Sequence, residues 1–406
     1  MKRLFFFSFA MALVAAVSCE KDDPYSQVKT FDDPANCFMV SEPGLYAFKA
    51  NKGKTQEAVA SIASVEVLWE SFGTKEAPSK GNIVSQAYYK DGQVYFKTPA
   101  ALKDGNALIA AKDASNTILW SWHIWVCNGW DATATAQKYY NFSNGIASWG
   151  AVMDRNLGAT SATINDIKSH GLLYQWGRKD PFLGWDGYNA EGHTPAASTL
   201  AWPDPVMTSE ETGTIEYAIT HPTTLLYPGK VSSNVDWYFT KEHNVTDNMR
   251  WNERLTLYDP CPAGWTLPEA HTTNNQGLCY NALENHWNVM WPDNPTQLGV
   301  NLGGKLGSAD TIWYPEASLY YFEDGRLYRT RQVYIWSRNV SPSTDDGLPL
   351  KLGDGGSGGF DPSPYEMDVT AYTMYCGENA QNDREVWAAS HTFRALALPT
   401  RCVAIK

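Results

Sequence analysis

Ile118-Leu119-Trp120-Ser121-Trp122-His123-Ile124-Trp125-Val126 is a run rich in β-branched and aromatic side chains. Alternation along a strand puts Trp120, Trp122 and Ile124 on one face and Ser121, His123 and Trp125 on the other. His123 is a lone histidine between aromatics and reads as a packing residue, not a ligand. Upstream, Gly44-Leu45-Tyr46-Ala47-Phe48, Val65-Glu66-Val67-Leu68-Trp69 and Gln93-Val94-Tyr95-Phe96-Lys97 have the same β character. Asp91-Gly92, Asp104-Gly105 and Ala114-Ser115-Asn116 supply turns between such runs. Residues 37–127 are therefore expected to hold six or seven short strands in an antiparallel β-sandwich.

The whole chain has 406 residues, with 32 Lys+Arg against 44 Asp+Glu and a formal charge of −12. An acidic chain without a basic cluster argues against nucleic acid as the main partner. Aromatics are 13% of the residues, with 17 Trp and 22 Tyr, which excludes a disordered chain.

The N-terminus reads as an address. Lys2 and Arg3 precede a mostly apolar run from Leu4 to Val17 that is short for a membrane span and suits a signal peptide. Ala15-Ala16-Val17-Ser18 before Cys19 resembles a bacterial lipobox, in which the cysteine becomes the lipidated mature terminus. Glu20-Lys21-Asp22-Asp23 resembles the export signal of surface-exposed Bacteroidetes lipoproteins. These resemblances imply residues 1–18 as signal peptide, Cys19 as lipid site and outer-membrane anchoring at the cell surface. Several acyl chains would anchor where one binds only marginally. Residues 19–36, polar with Pro24 and Pro34, read as a flexible tether.

Cys37, Cys127, Cys261, Cys279, Cys376 and Cys402 remain, and six cysteines allow 15 connectivities. No C-x-x-C or tight Cys/His cluster points to zinc. Cys37 and Cys127 bracket one region; Cys261 and Cys402 bracket another, with Cys279 and Cys376 nested inside. The expected pairs are Cys261–Cys402, Cys37–Cys127 and Cys279–Cys376, with buried free thiols as the alternative.

Residues 128–406 differ in texture: long Gly/Pro/Asn-rich loops, short strands and 13 of the 17 tryptophans. Helices are expected only near Ser161–His170 and over Pro268–Asn288. Four segments stand out: Val152-Met153-Asp154-Arg155-Asn156-Leu157-Gly158-Ala159; Gly171-Leu172-Leu173-Tyr174-Gln175-Trp176-Gly177-Arg178-Lys179-Asp180-Pro181-Phe182; Asp259-Pro260-Cys261-Pro262-Ala263-Gly264-Trp265-Thr266-Leu267-Pro268; and Ala397-Leu398-Pro399-Thr400-Arg401-Cys402-Val403. In this order they resemble the Fibrobacter succinogenes major paralogous domain, which is similar to C-type lectin-like folds. Residues 35–41 with 106–113 resemble the β-domain found ahead of such modules. The expected fold is thus mainly β or α+β: an N-terminal β-sandwich followed by a larger, loop-rich C-type lectin-like domain over 128–406. Taken by themselves, Pro262 and Gly264 favour a turn, Pro268 suits the first turn of a helix, and Cys402-Val403-Ala404-Ile405 reads as a terminal strand. A bond from Cys402 to Cys261 would hold the chain's end against its domain, as C-type lectin-like folds do. Asp154, Arg155 and Asn156 are either network groups or site residues.

Catalytic signatures fail on context. Gly353-Asp354-Gly355-Gly356-Ser357-Gly358 has dinucleotide-fingerprint and nucleophile-elbow letters, but Phe360-Asp361-Pro362-Ser363-Pro364 is a poor helix opening. Leu306 occupies the place of the P-loop Ser/Thr after Gly304-Lys305. The resemblance would allow calcium, yet Glu-Pro-Asn, Gln-Pro-Asp and Trp-Asn-Asp are missing. Acidic loops at Asp345-Asp346, Asp354 and Asp361 read as solvated. No metal or cofactor is expected.

Trp185, Trp202, Trp237, Trp291 and Trp313 sit in polar or Gly/Pro-flanked surroundings and are candidate stacking residues for sugar faces. The expected function is non-catalytic: a surface adhesion or glycan-binding lipoprotein with a glycan or host-matrix ligand. The alternatives are a fimbrial tip or accessory subunit partnered with pilus subunits and, less favoured, an enzyme related to the formylglycine-generating fold. That enzyme would need Cys279 or Cys376 as an exposed thiol of low pKa.

Overall fold

The computed structural model describes residues 23–137, 151–184, 203–229, 236–239, 250–252, 255–269, 299–302, 312–316, 318–330, 332–340, 370–378 and 384–405. The chain is mainly β, as its strand-forming runs require, with 40% strand and 7% helix.

Eight strands come first: β1 (Val28–Phe31), β2 (Cys37–Val40), β3 (Leu45–Lys49), β4 (Ser64–Ser71), β5 (Gln86–Lys90), β6 (Gln93–Lys97), β7 (Gly105–Lys112) and β8 (Ile118–Val126). They form two four-stranded sheets, β1-β3-β6-β5 and β2-β8-β7-β4. The sheets meet through aromatic side chains: Phe38 stacks on Phe48 at 4.0 Å, and Phe48 meets Trp122 edge-on at 5.3 Å. Asp91 and Gly92, with φ of 50° and 80°, turn β5 into β6 in the left-handed conformation that tight hairpins use. Two expectations need correcting. The sandwich is not wholly antiparallel, because β1 runs parallel to β3 and β2 parallel to β8. Nor is 19–36 simply a tether: Lys29 and Phe31 turn toward the sheet interior, and Val28–Phe31 pairs with β3 over its whole length.

The later elements are short. They are α1 (Ala132–Thr135), β9 (Leu172–Gln175), β10 (Phe182–Leu183), β11 (Val206–Met207), α2 (Ile215–Thr220), β12 (Leu226–Tyr227), α3 (Leu255–Tyr258), β13 (Trp265–Thr266), β14 (Gly299–Leu302) and β15 (Ile312–Pro315). β16 (Ser318–Tyr320), β17 (Leu327–Arg329), β18 (Val333–Val340), β19 (Thr370–Glu378), β20 (Arg384–Phe393), β21 (Ala397–Pro399) and β22 (Val403–Ala404) follow. Among the described residues, β10-β9-β21-β16-β17 form a five-stranded sheet, and β18-β19-β20 make another. Instead of a helix over Ser161–His170 there is one 3₁₀ turn, Ile167–Ser169, capped by the Asp166 carboxylate. Most of Pro268–Asn288 lies outside the described residues, as does the glycine-rich stretch at 353–358.

Cys261 and Cys402 are bonded and fully buried, closing the expected long loop. Cys37, Cys127 and Cys376 are free and buried, which overturns their expected pairings. Cys37 lies opposite His123 in the parallel β2–β8 register, whereas Cys127 follows Val126, the partner of Val40. Four residues of strand, about 13 Å, thus separate the two sites, too far for a disulfide. Cys376 faces Val333 across β18–β19. Cys279 lies outside the described residues.

The second sheet is buried on both faces. From Trp120 onward every residue of β8 is buried, and the sandwich core continues without a break into the later residues through Leu157, Leu172, Tyr174 and Trp176. Polar groups fix the seam. Asn106 Nδ2 donates to the Gly158 carbonyl at 2.9 Å, Trp125 Nε1 to the Ala159 carbonyl at 3.1 Å, and Asn36 Nδ2 to the carbonyls of Leu257 and Asp259 at 2.9 Å each. Gly53 lies so close to the carbonyls of Thr256 and Leu257 that any Cβ there would collide with them.

Candidate functional site

The four segments noted in the sequence meet at one place. β9 pairs with β21, and β13 with β22. Met153 N–H donates to the Cys402 carbonyl at 3.0 Å, Leu157 N–H to the Thr400 carbonyl at 2.9 Å, and Leu172 N–H to the Leu157 carbonyl at 2.9 Å. At their centre the buried Arg401 donates to Asn156 Oδ1 from Nε at 3.0 Å and from Nη2 at 2.8 Å, and its guanidinium lies 3.7 Å over the Tyr314 ring. Arg155 forks onto Asp154 at 2.8 and 3.0 Å and stacks on Trp130 at 4.1 Å. Asp154, Arg155 and Asn156 thus join an internal network that ties chain segments far apart in sequence.

Beside it lies a buried charge cluster. Asp236 accepts both guanidinium nitrogens of Arg250, one at 2.9 Å, and a nitrogen of Arg394 lies 3.5 Å from its other oxygen. The rings of Trp176 and Trp237 flank Arg250 at 5.1 and 4.7 Å, and Trp237 Nε1 donates to the Trp176 carbonyl at 2.7 Å. Trp237, a candidate sugar-stacking residue, is only 1% exposed, its ring packed against the guanidinium groups of Arg250 and Arg178. Trp313 is 4% exposed; it stands on β15, whose residues are all buried. Neither offers a surface to a ligand, which corrects the expectation for both. Trp185, Trp202 and Trp291 lie outside the described residues. Polar neighbours in the sequence misled because those neighbours are themselves internal.

Lys179 and Asp180 are also buried. Lys179 Nζ reaches Asp180 Oδ1 and Ser121 Oγ, both at 2.6 Å, and Ser121 Oγ donates to Asp180 Oδ1 at 2.5 Å. Burial pushes the Lys179 amine down, while Asp180 opposes that shift. A cavity of about 20 Å³ adjoins them, lined by Arg178, Lys179, Asp180, Ile219, Trp237 and Tyr258 among others. That volume holds about one water molecule, whereas small-molecule sites run to several hundred Å³.

Cys37, His123 and Asn106 have the outline of a nucleophile, base and orienting amide: Sγ to Nδ1 is 3.3 Å and Nε2 to Asn106 Oδ1 is 2.9 Å. Their surroundings oppose that chemistry. All three are 1% exposed, burial pushes the Cys37 thiol well up, and burial lowers the His123 pKa to about 3. Both groups are neutral at pH 7, so no thiolate–imidazolium pair forms. His123 packs as the sequence suggested.

A depressed folded pKa has a pH signature. Unfolded histidine titrates near 6.5, so its contribution is complete above that pH and is lost as pH falls toward 3. The slope is about 1.4 kcal/mol per pH unit across that window. Urea midpoints measured from pH 7 to 4 should fall accordingly, and His123→Gln should flatten the curve. An unchanged curve in the variant would contradict the assignment.

Polar and aromatic groups at the surface tell a different story. On the outer face of β1-β3-β6-β5, Tyr88 and Tyr95 are cross-strand partners whose rings stack at 4.9 Å within 2° of parallel. Both are half-buried. Gln86, Gln93, Lys49, Lys90 and Lys97 share this face by strand alternation. Lys97 Nζ lies 3.7 Å from the centroid of the Tyr25 ring, and Tyr25 OH donates to the Thr98 carbonyl at 2.9 Å. The signal was present in the sequence as outward Tyr positions on β-runs, obscured by the greater number of tryptophans elsewhere.

Among the described residues no group of three His, Cys, Asp or Glu side chains could hold a metal ion, and no helix is long and apolar enough to cross a membrane. Cys376 is buried with its thiol pushed up, unlike a reactive nucleophile. No family model, curated protein or solved structure matches the chain.

Proposed function

We propose that this chain is a lipid-anchored, non-catalytic adhesion module that holds glycan chains at the bacterial surface. The stacked Tyr88–Tyr95 pair on the outer face of the first sheet carries this reading. Flat rings bury area against apolar sugar faces with few torsions to freeze, and the flanking Gln and Lys supply hydrogen bonds to hydroxyls. The internal polar clusters support it too, since their groups are engaged in holding the fold and the cavity beside Lys179 has no room for a substrate. The lipobox-like Cys19 supplies the anchor.

A soluble chain beginning after Cys19 should bind glycans on an array, and Tyr88→Ala with Tyr95→Ala should weaken that binding about tenfold or more, at about 1.4 kcal/mol per tenfold. Binding of no glycan and no matrix protein would remove the proposal. Radiolabelled palmitate should enter the full chain and be lost in Cys19→Ser. The fimbrial reading draws on β20, a long strand whose partner among the described strands is β19 alone. Its other edge, which pairs with no described strand, is where a donated strand would add. Co-purification with a pilus polymer would favour it.

A further inference from the structure

We infer that the outer face of the first sheet selects an anionic polysaccharide, one carrying carboxylate or sulfate groups on its sugars. This rests on the glycan-binding reading and names its ligand class. The register arranges the face in rows. Lys49, Gln93 and Lys90 stand side by side across β3, β6 and β5; Ala47, Tyr95 and Tyr88 form the next row; Leu45, Lys97 and Gln86 form the third. Val28 and Thr30 extend the last two rows onto β1.

The charge of this face runs against the rest of the chain. Acids outnumber bases 44 to 32 overall, yet none of these outward positions is acidic and three are lysine. Lys49 and Lys90 are exposed and Lys97 half-buried, and none of the three enters an ion pair among the described residues. Acids stand only at the rim of the face: Asp91 in the hairpin turn, and Asp32 just beyond β1, whose carboxylate accepts from Thr30 Oγ1 at 3.3 Å. The tyrosine pair lies between the Lys49–Lys90 row and Lys97, two residues or about 7 Å along the strand from each. A sugar chain lying along the strands would therefore stack on the tyrosines while its acidic groups met ammonium groups at either end. A neutral glycan would use the rings but leave the lysines without counter-charge. In an acidic protein the general field repels polyanions, so such binding must come from this local patch.

Affinity electrophoresis tests this with the soluble chain in gels cast with alginate, heparin or neutral dextran. Alginate or heparin should retard it and dextran should not, with retardation fading as salt rises. The triple variant Lys49→Gln, Lys90→Gln, Lys97→Gln should bind at least about tenfold more weakly. A charge-matched control, Lys75→Gln, Lys80→Gln, Lys168→Gln, should bind as the parent does, and unchanged melting temperatures would show that both variants fold. Equal retardation by dextran, or a triple variant no weaker than the control, overturns the inference while leaving glycan binding standing. Retardation by no polysaccharide removes both. Binding to phosphatidylglycerol vesicles but to no soluble polyanion would overturn it in favour of a membrane-facing surface.

Discussion

Asp236→Ala is expected to cost about 3–5 kcal/mol, the penalty for removing one partner from a buried ion cluster. Asp236 is 1% exposed, and Arg250 and Arg394 are fully buried against it. Without the carboxylate, two guanidinium groups remain in the core, Arg250 between Trp176 and Trp237 and Arg394 over Trp176, and an arginine cannot readily shed its proton. Trp176 also donates to the Ser337 carbonyl at 3.2 Å, so the disturbance should reach β18. Asp236→Asn keeps the shape but not the charge and should recover only part of the loss. Urea unfolding followed by tryptophan fluorescence would measure both. An alanine variant within 1 kcal/mol of the parent would show that the cluster is hydrated and weak.

Cys261→Ser with Cys402→Ser is expected to destabilise the chain by about 5 kcal/mol, since the bond closes a loop of 141 residues and the chain-entropy model scales with the logarithm of that length. Both sulfurs lie in the core, next to the β13–β22 pairing and the Asp259 carboxylate that accepts from Cys261 N–H at 2.8 Å. Reductant should therefore act slowly on the folded chain and quickly once urea opens it. The melting temperature of the double variant, compared with oxidised and reduced parent, would measure the effect. A loss below 1 kcal/mol would show that the unfolded ensemble already keeps these ends together.

The sequence made strands such as β3, β4, β6 and β8 legible because they depend on local signals, whereas the 261–402 bond was legible from the chain-end position of Cys402 and the resemblance of its flanking segments. Period-two aromatics marked β6 and β8, Asp91-Gly92 marked the hairpin, and two bracketing cysteines marked the tie. Pairing direction was not legible: β1 and β2 choose parallel partners through long-range packing that no local run encodes. The Cys37–Cys127 expectation failed for the same reason, since register, not position in the chain, sets their separation. At the site, Trp237 and Trp313 looked exposed among polar neighbours. Asp236, Arg250 and Arg394 lie far apart in sequence, and only the fold reveals that they neutralise one another. The Tyr88–Tyr95 platform was hidden differently, because stacking is a property of two strands in register and of neither alone.

The parallel pairings of β1 and β2 have a mechanical consequence. Tension applied to the N-terminal end along these strands pulls Val28–Phe31 along β3 and Cys37–Val40 along β8. Every cross-strand bond in each four-residue pairing is then strained at once, so the pairing must slide as a unit rather than unzip. A pull from that end is therefore resisted in shear within both sheets, including the sheet whose outer face carries Tyr88 and Tyr95.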